Sequence, residues 1–213
     1  MRTNPKNQSS SRIVIRRRQP ESTKRRLLQA AFREIHRSGF RAADVDSILE
    51  SAGVTKGALY HHYQSKTGLG YAVVDQVLRD WILDRWLRPI VEAEDPVQAL
   101  IDLLHWAARH SNIESLALGC PLNNLAQEMS AKDNGFRSRL VSIYSAWRSG
   151  IQIALEESKD RGQIRSDVDC VAAAALIVAA WEGSIGLSKT DLRPETVEAC
   201  RRGLQTYLMT LRP

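Results

Sequence analysis

One run of twenty residues, Asp44 to Tyr63, constrains this chain more than any other, because DVDSILESAGVTKGALYHHY joins two helix-sized apolar patterns through a glycine. Val45, Ile48, Leu49 and Ala52 share one helical face, and Gly53 can take the left-handed backbone that a tight bend demands. Thr55 is placed to cap a second helix whose Leu59 points inward. The spacing predicts a helix-turn-helix over residues 44–63. The second helix presents Thr55, Lys56, Gly57, Ala58, Tyr60 and His61 outward. Small and polar residues at its N-terminal end suit entry into a major groove of about 12 Å width.

The charge is placed unevenly along the chain. Residues 1–66 hold 14 Lys/Arg against 5 Asp/Glu, a net +9, whereas residues 67–213 hold 16 against 19, a net −3. A basic module on a weakly acidic body suits capture of a phosphate polymer. Charge alone suits an arm at a membrane surface equally well. At 213 residues with 43% apolar content, the chain is long enough for two modest domains with a buried core.

The stretch AGVTKGALYHHYQSK, Ala52 to Lys66, closely resembles the motif of TetR/AcrR-type transcriptional repressors. The resemblance covers roughly residues Thr23 to Leu87 and is architectural beyond that. It implies a homodimer on inverted-repeat duplex DNA and a helical body that takes a small-molecule effector. It also points to Lys66 as a phosphate contact, at the start of a helix with exposed N–H groups. One departure precedes the motif's first helix: where the family carries Thr or Ser, this chain has Ala42, Ala43 and Asp44. Asp44 can cap the helix, but a carboxylate cannot donate to a phosphate.

Residues 1–20, rich in Arg, Ser, Asn and Gln, read as a disordered basic arm. The arm is either a solvated tail or a contact to phosphates or the minor groove. A helix follows from Ser22 or Thr23 to Ser38. Its opening turn holds Thr23, Lys24, Arg25 and Arg26, where positive charge opposes the helix dipole and so suggests a phosphate contact. Tyr60 and Tyr63 are expected to divide between core and sugar-phosphate backbone. His61 and His62 point about 100° apart on a helix with no supporting acid or thiol, so no metal site is expected.

Residues 21–66 thus form the expected DNA-binding domain and residues 67–213 an effector-binding and dimerisation domain. Ser65 caps a long helix that Pro89 should end near Leu87. Asp95-Pro96, Pro121, Asp133, Asp167 and Pro194 open the rest, for about nine helices and no strands. Residues 111–119 carry no assigned structure. The apolar run Val171 to Trp181 falls short of the roughly 20 residues that a membrane span needs. The N-terminus has no cleavable leader pattern, and Cys120, Cys170 and Cys200 form neither a disulfide framework nor a metal motif. A cytoplasmic protein is expected.

Two features of the body bear on partners. Ala172, Ala175, Ala179 and Gly183 give one helix a close-packing surface, and Leu204, Tyr207, Leu208 and Leu211 give its neighbour an apolar stripe. Together they are expected to pair with a second copy as a four-helix bundle, with packing inside one chain as the alternative. Trp81, Trp86, Trp106, Trp147 and Trp181 all lie outside the helix-turn-helix. Trp106, Cys120, Asn123, Asn124, Gln127, Tyr144, Trp147 and Trp181 are the candidates to line an effector cavity, against the alternative of plain core. Cys120 lacks cationic neighbours in sequence and reads as an unreactive thiol.

The fold class is therefore all-α, and the expected function is a DNA-binding transcriptional regulator, most simply a repressor, that requires no cofactor. A non-specific architectural DNA binder is the alternative. An enzyme is disfavoured, because no nucleophile, base and orienting partner stand at useful spacing.

Overall fold

The computed structural model describes residues 20–213, and the described residues contain helices and no strands. The expected arm lies outside them except for Pro20, which opens α1 (Pro20–Ser38) two residues before the expected start. Next come α2 (Val45–Ala52), which packs against α1, and α3 (Lys56–Tyr63), which packs against α2 and the helix that follows it. Asp44 caps α2 by accepting from the Ser47 N–H at 2.9 Å, and Gly53 ends it at φ 60°, ψ 44°. Thr55 caps α3 by accepting from the Ala58 N–H at 3.4 Å.

A continuous rod, α4, runs over residues 66–91. Ser65 caps it through the Gly68 N–H at 2.9 Å. Pro89 does not end it. The turn Leu83–Leu87 is π-helical, with the Arg88 N–H reaching Leu83 O, and a second π turn spans Val74–Leu78. A wider turn absorbs the donor that proline lacks, so the rod continues to Val91. Gly70 lies where Phe40 and Phe136 cross the rod; a Cβ there would stand 2.5 Å from Phe40 Cε2. The two phenylalanine rings meet with centroids 4.5 Å apart and join the α1–α2 turn to the body.

The body comprises α5 (Pro96–His110), α6 (Ile113–Leu118), α7 (Pro121–Met129), α8 (Asn134–Asp160), α9 (Cys170–Asp191) and α10 (Pro194–Thr210). Helix α6 forms inside the unassigned stretch, nucleated by a capping box between Asn112 and Ser115. Asp169, rather than Asp167, caps α9 through the N–H groups of Val171 and Ala172, each at 3.0 Å; Asp167 pairs with Arg165 at 2.9 Å.

Helix α9 corrects the membrane reading. At 22 residues and mean hydropathy 1.8 it is long and apolar enough to cross a bilayer by length and composition. The sequence estimate stopped at Trp181, whereas the helix runs on through Glu182, Gly183, Ser184 and Lys189. It packs between α8 and α10, burying Ala173, Ala174, Ile177, Val178 and Trp181.

Candidate nucleic-acid interface and ligand cavity

Helix α3 turns Leu59 and Tyr63 into the core and leaves Thr55, Lys56, Gly57, Tyr60 and His61 exposed, with Ala58 half-buried. Tyr60 is 47% exposed, whereas Tyr63 is buried. Tyr63 takes the core role. Its hydroxyl has no hydrogen-bond partner among the described residues, and burial pushes its pKa up to about 12. This removes Tyr63 from the candidate DNA contacts.

Around α3, Thr23 and Lys24 are half-buried and Arg25 is exposed, all in the first turns of α1. Lys66 Nζ donates to Arg41 O at 3.0 Å and lies 5.3 Å from the Phe40 ring centre. An ammonium has three donors, so two remain. Asp44 is exposed but engaged: one oxygen accepts from both the N–H and the Oγ of Ser47. Those bonds hold its carboxyl below the ordinary range. It acts as a cap and presents a negative charge to any approaching phosphate.

Two hydrogen-bonded clamps, absent from the sequence reading, tie this module to the body. The Glu128 carboxylate on α7 accepts from Phe40 N and Arg41 N, each at 2.8 Å, in the turn between α1 and α2. His36 Nε2 on α1 lies 2.9 Å from Gly119 O, just before α7. Because a carbonyl only accepts, Nε2 carries the proton in this bond. Burial, outweighing the Gly119 bond, holds the His36 pKa below its ordinary value. Nothing in the spacing of residues 36, 119 and 128 could have revealed these long-range pairs.

Beside the His36 clamp lies a largely apolar cavity of about 220 Å³. Trp81, Trp86, Trp106 and Trp181 line it with Arg85, Cys120 and Glu182. The expected cavity residues do not gather in one place. Trp106, Cys120 and Trp181 meet here, while Asn123, Asn124 and Gln127 line a separate cleft between α1 and α7. Trp147 lies with its ring 6.0 Å from Trp86 and helps line a separate, much smaller crevice. Tyr144 lines none of these spaces, and burial, then the nearby Glu182, raises its pKa.

Glu182 and Arg85 are charged cavity residues absent from the expected set, although a lone acid within the apolar helix α9 was a visible signal. Glu182 is only 6% exposed; Oε1 accepts from Cys120 Sγ at 3.2 Å and Oε2 has no partner among the described residues. Burial pushes its pKa up to about 7 and holds the Cys120 thiol well above its usual value. A protonated, buried thiol is a poor nucleophile.

The expected pairing surface is half outward and half inward. Ala172, Ala179 and Gly183 are exposed on α9 and Ala175 is half-buried, beside exposed Val171, Leu176 and Leu187. Leu204, Leu208 and Leu211 are buried within the chain and Tyr207 is half-buried. The apolar stripe of α10 faces its own core because α5 and α9 cover it.

Sequence comparison matches residues 27–73 to the bacterial regulatory proteins of the tetR family and residues 96–204 to the tetracyclin repressor-like C-terminal domain. The chain belongs to the TetR family. Its relatives include the transcriptional regulator AcuR of Cereibacter sphaeroides, 27% identical over 86% of this chain and 84% of that protein. Another is the HTH-type transcriptional repressor DhaR of a Mycobacterium species, 27% identical over 75% and 79%. A TetR transcriptional regulator from Chloroflexus aurantiacus superposes with a TM-score of 0.79 at 25% identity, covering 91% of this chain and 97% of its own. At this level the function is set: a DNA-binding transcriptional regulator, not an enzyme.

Proposed function

We propose that this TetR-family chain is a homodimeric repressor, released from an inverted-repeat operator when a small molecule fills the tryptophan cavity. The exposed face of α3 carries the DNA-reading part: Thr55, Lys56, Gly57, Tyr60 and His61 stand out from a helix anchored by Leu59 and Tyr63. In this reading Ala58 lies at the helix–groove contact, and Thr23, Lys24, Arg25 and Lys66 hold phosphates at its edges. Residues 21–66 read DNA in the cytoplasm, and residues 67–213 bind effector and partner.

Two copies joined through the outward face of α9 would set their α3 helices about 34 Å apart, one helical turn of duplex. The clamps supply the linkage. Gly119 and Cys120 border the cavity, His36 holds Gly119, and Glu128 holds the turn entering α2. A ligand that displaces the 119–121 wall therefore acts on α1 and α2 through bonds already made. To drive release from 1:99 to 99:1, it must favour the non-binding state by about 5.5 kcal/mol.

Selection of bound sequences from a random duplex pool tests this reading. The expected outcome is an inverted repeat with half-site centres about one helical turn apart. Lys56→Ala should weaken binding to all sequences alike and lower the salt slope by about one. Recovery of unrelated sequences with no symmetry would instead support an architectural DNA binder.

A further inference from the structure

The wall of the tryptophan cavity includes Glu182, one of whose carboxyl oxygens has no hydrogen-bond partner among the described residues. Glu182 Oε2 is buried with no partner among the described residues, while Oε1 is engaged by Cys120 Sγ at 3.2 Å. A buried polar atom without a partner is costly, and such an atom in a native fold needs an explanation. Beside it, the Trp86 and Trp181 rings lie 4.9 Å apart and tilted by 46°, two broad apolar walls.

The place for a cation over aromatic faces is already taken. The Arg85 guanidinium carbon stands 4.6 Å from the Trp106 ring centre and 5.5 Å from that of Trp81, and Arg85 forms no ion pair with any described carboxylate. With Glu182 ionised, the two charges of the cavity balance. A cationic ligand would confront Arg85, an anionic one would confront Glu182, and a pure hydrocarbon would leave Oε2 unsatisfied. At about 220 Å³ the space is smaller than the roughly 300–1,000 Å³ of drug-sized sites, which limits the occupant to one or two rings.

We infer that this cavity takes an uncharged aromatic molecule of one or two rings bearing a hydrogen-bond donor, with the donor on Glu182 Oε2 and the ring against Trp86 and Trp181. The inference names the chemistry of the proposed effector and rests on that reading of the cavity. A donor bonds more strongly to an ionised carboxyl than to a neutral one, so binding favours loss of the Glu182 proton. Affinity should therefore rise with pH through about 7, where Glu182 titrates. The other groups around it are Cys120 and Tyr144, both pushed up by burial, His36, pushed down by burial, and Arg85 and His110 in the cavity wall.

Tryptophan fluorescence and calorimetry on the full chain, without DNA, provide the test, using 2-naphthol, naphthalene, 1-naphthylmethylamine and 2-naphthoate as probes. At pH 8, 2-naphthol should bind at least about 10-fold more tightly than naphthalene, and the gap should narrow at pH 6. In Glu182→Gln the pH dependence should vanish, and the preference for 2-naphthol over naphthalene should be the same at pH 6 and pH 8. Should that variant not fold, calorimetry of the parent chain in buffers of different ionisation enthalpy decides. Proton release with 2-naphthol and none with naphthalene supports the inference.

Equal affinity for 2-naphthol and naphthalene, tighter binding of the amine or the carboxylate, or no proton release overturns it. If 2-naphthol binds as expected but leaves affinity for the selected inverted repeat unchanged, the ligand chemistry stands and the effector reading fails.

Discussion

A single side chain illustrates how a buried charge writes a pH dependence into a fold. Burial pushes the Glu182 pKa in the folded chain up from its ordinary 4.5 to about 7. The native state thus holds the proton more tightly than the unfolded chain does. Below about pH 4.5 both states are protonated and Glu182 costs nothing; between 4.5 and 7 stability falls as pH rises; above 7 the loss is complete. At 1.36 kcal/mol per unit the loss is about 3 kcal/mol. Glu182→Gln removes this titration. Denaturant unfolding should show the variant gaining roughly 2–3 kcal/mol on the parent between pH 5 and pH 8. An identical difference at both pH values would show that Glu182 does not titrate in this range. Tyr63 makes the complementary point: its hydroxyl is buried without a partner, yet a phenol stays neutral throughout this range and imposes no such slope.

At the scale of elements, what was legible in the sequence was what local chemistry decides. Asp44, Thr55, Ser65, Asp95 and Asp133 each cap the helix that their spacing assigned, because an N-cap bond reaches only three residues along the chain. Gly53 bends left-handed for the same local reason. Pro89 misled because its cost depends on the turn before it, and the π turn at Leu83–Leu87 accommodates it. The stripe of Leu204, Leu208 and Leu211 declared itself apolar, but only packing against α5 and α9 decided that it faces inward. The clamps are tertiary outright, since Glu128 lies 88 residues from Phe40. Their removal has a measurable consequence. Glu128→Ala takes the acceptor from two N–H groups, each bond to a charged group being worth about 1.5–3 kcal/mol before solvent screening reduces it. Hydrogen exchange should quicken at Phe40 and Arg41 and across α2, and less of any ligand response should reach DNA affinity. Unchanged exchange in residues 40–52 would show that the clamp carries no coupling.

For the whole molecule, the decisive surface is the outward face of α9. Less than half of its most apolar window is buried within the chain, and Val171, Leu176 and Leu187 are 58%, 47% and 59% exposed around Ala172, Ala179 and Gly183. An apolar, small-residue face on a helix otherwise sunk in the core is costly to leave in water, and such patches mark sites of association. A second copy can cover it closely because alanine and glycine let backbones approach. In the proposed reading, dimerisation also completes the DNA-reading unit, since one α3 would reach one half-site and linkage of two sites multiplies affinity by about 10²–10⁴. Ala179→Arg places a charge at the centre of this face without touching the core. Sedimentation should report a monomer, circular dichroism should be unchanged, and affinity for the inverted repeat should fall by at least about 100-fold, to that of a single half-site. If the variant stays dimeric and binds the full repeat as the parent does, the two copies meet elsewhere, and the exposure of Leu176 and Leu187 must serve another partner.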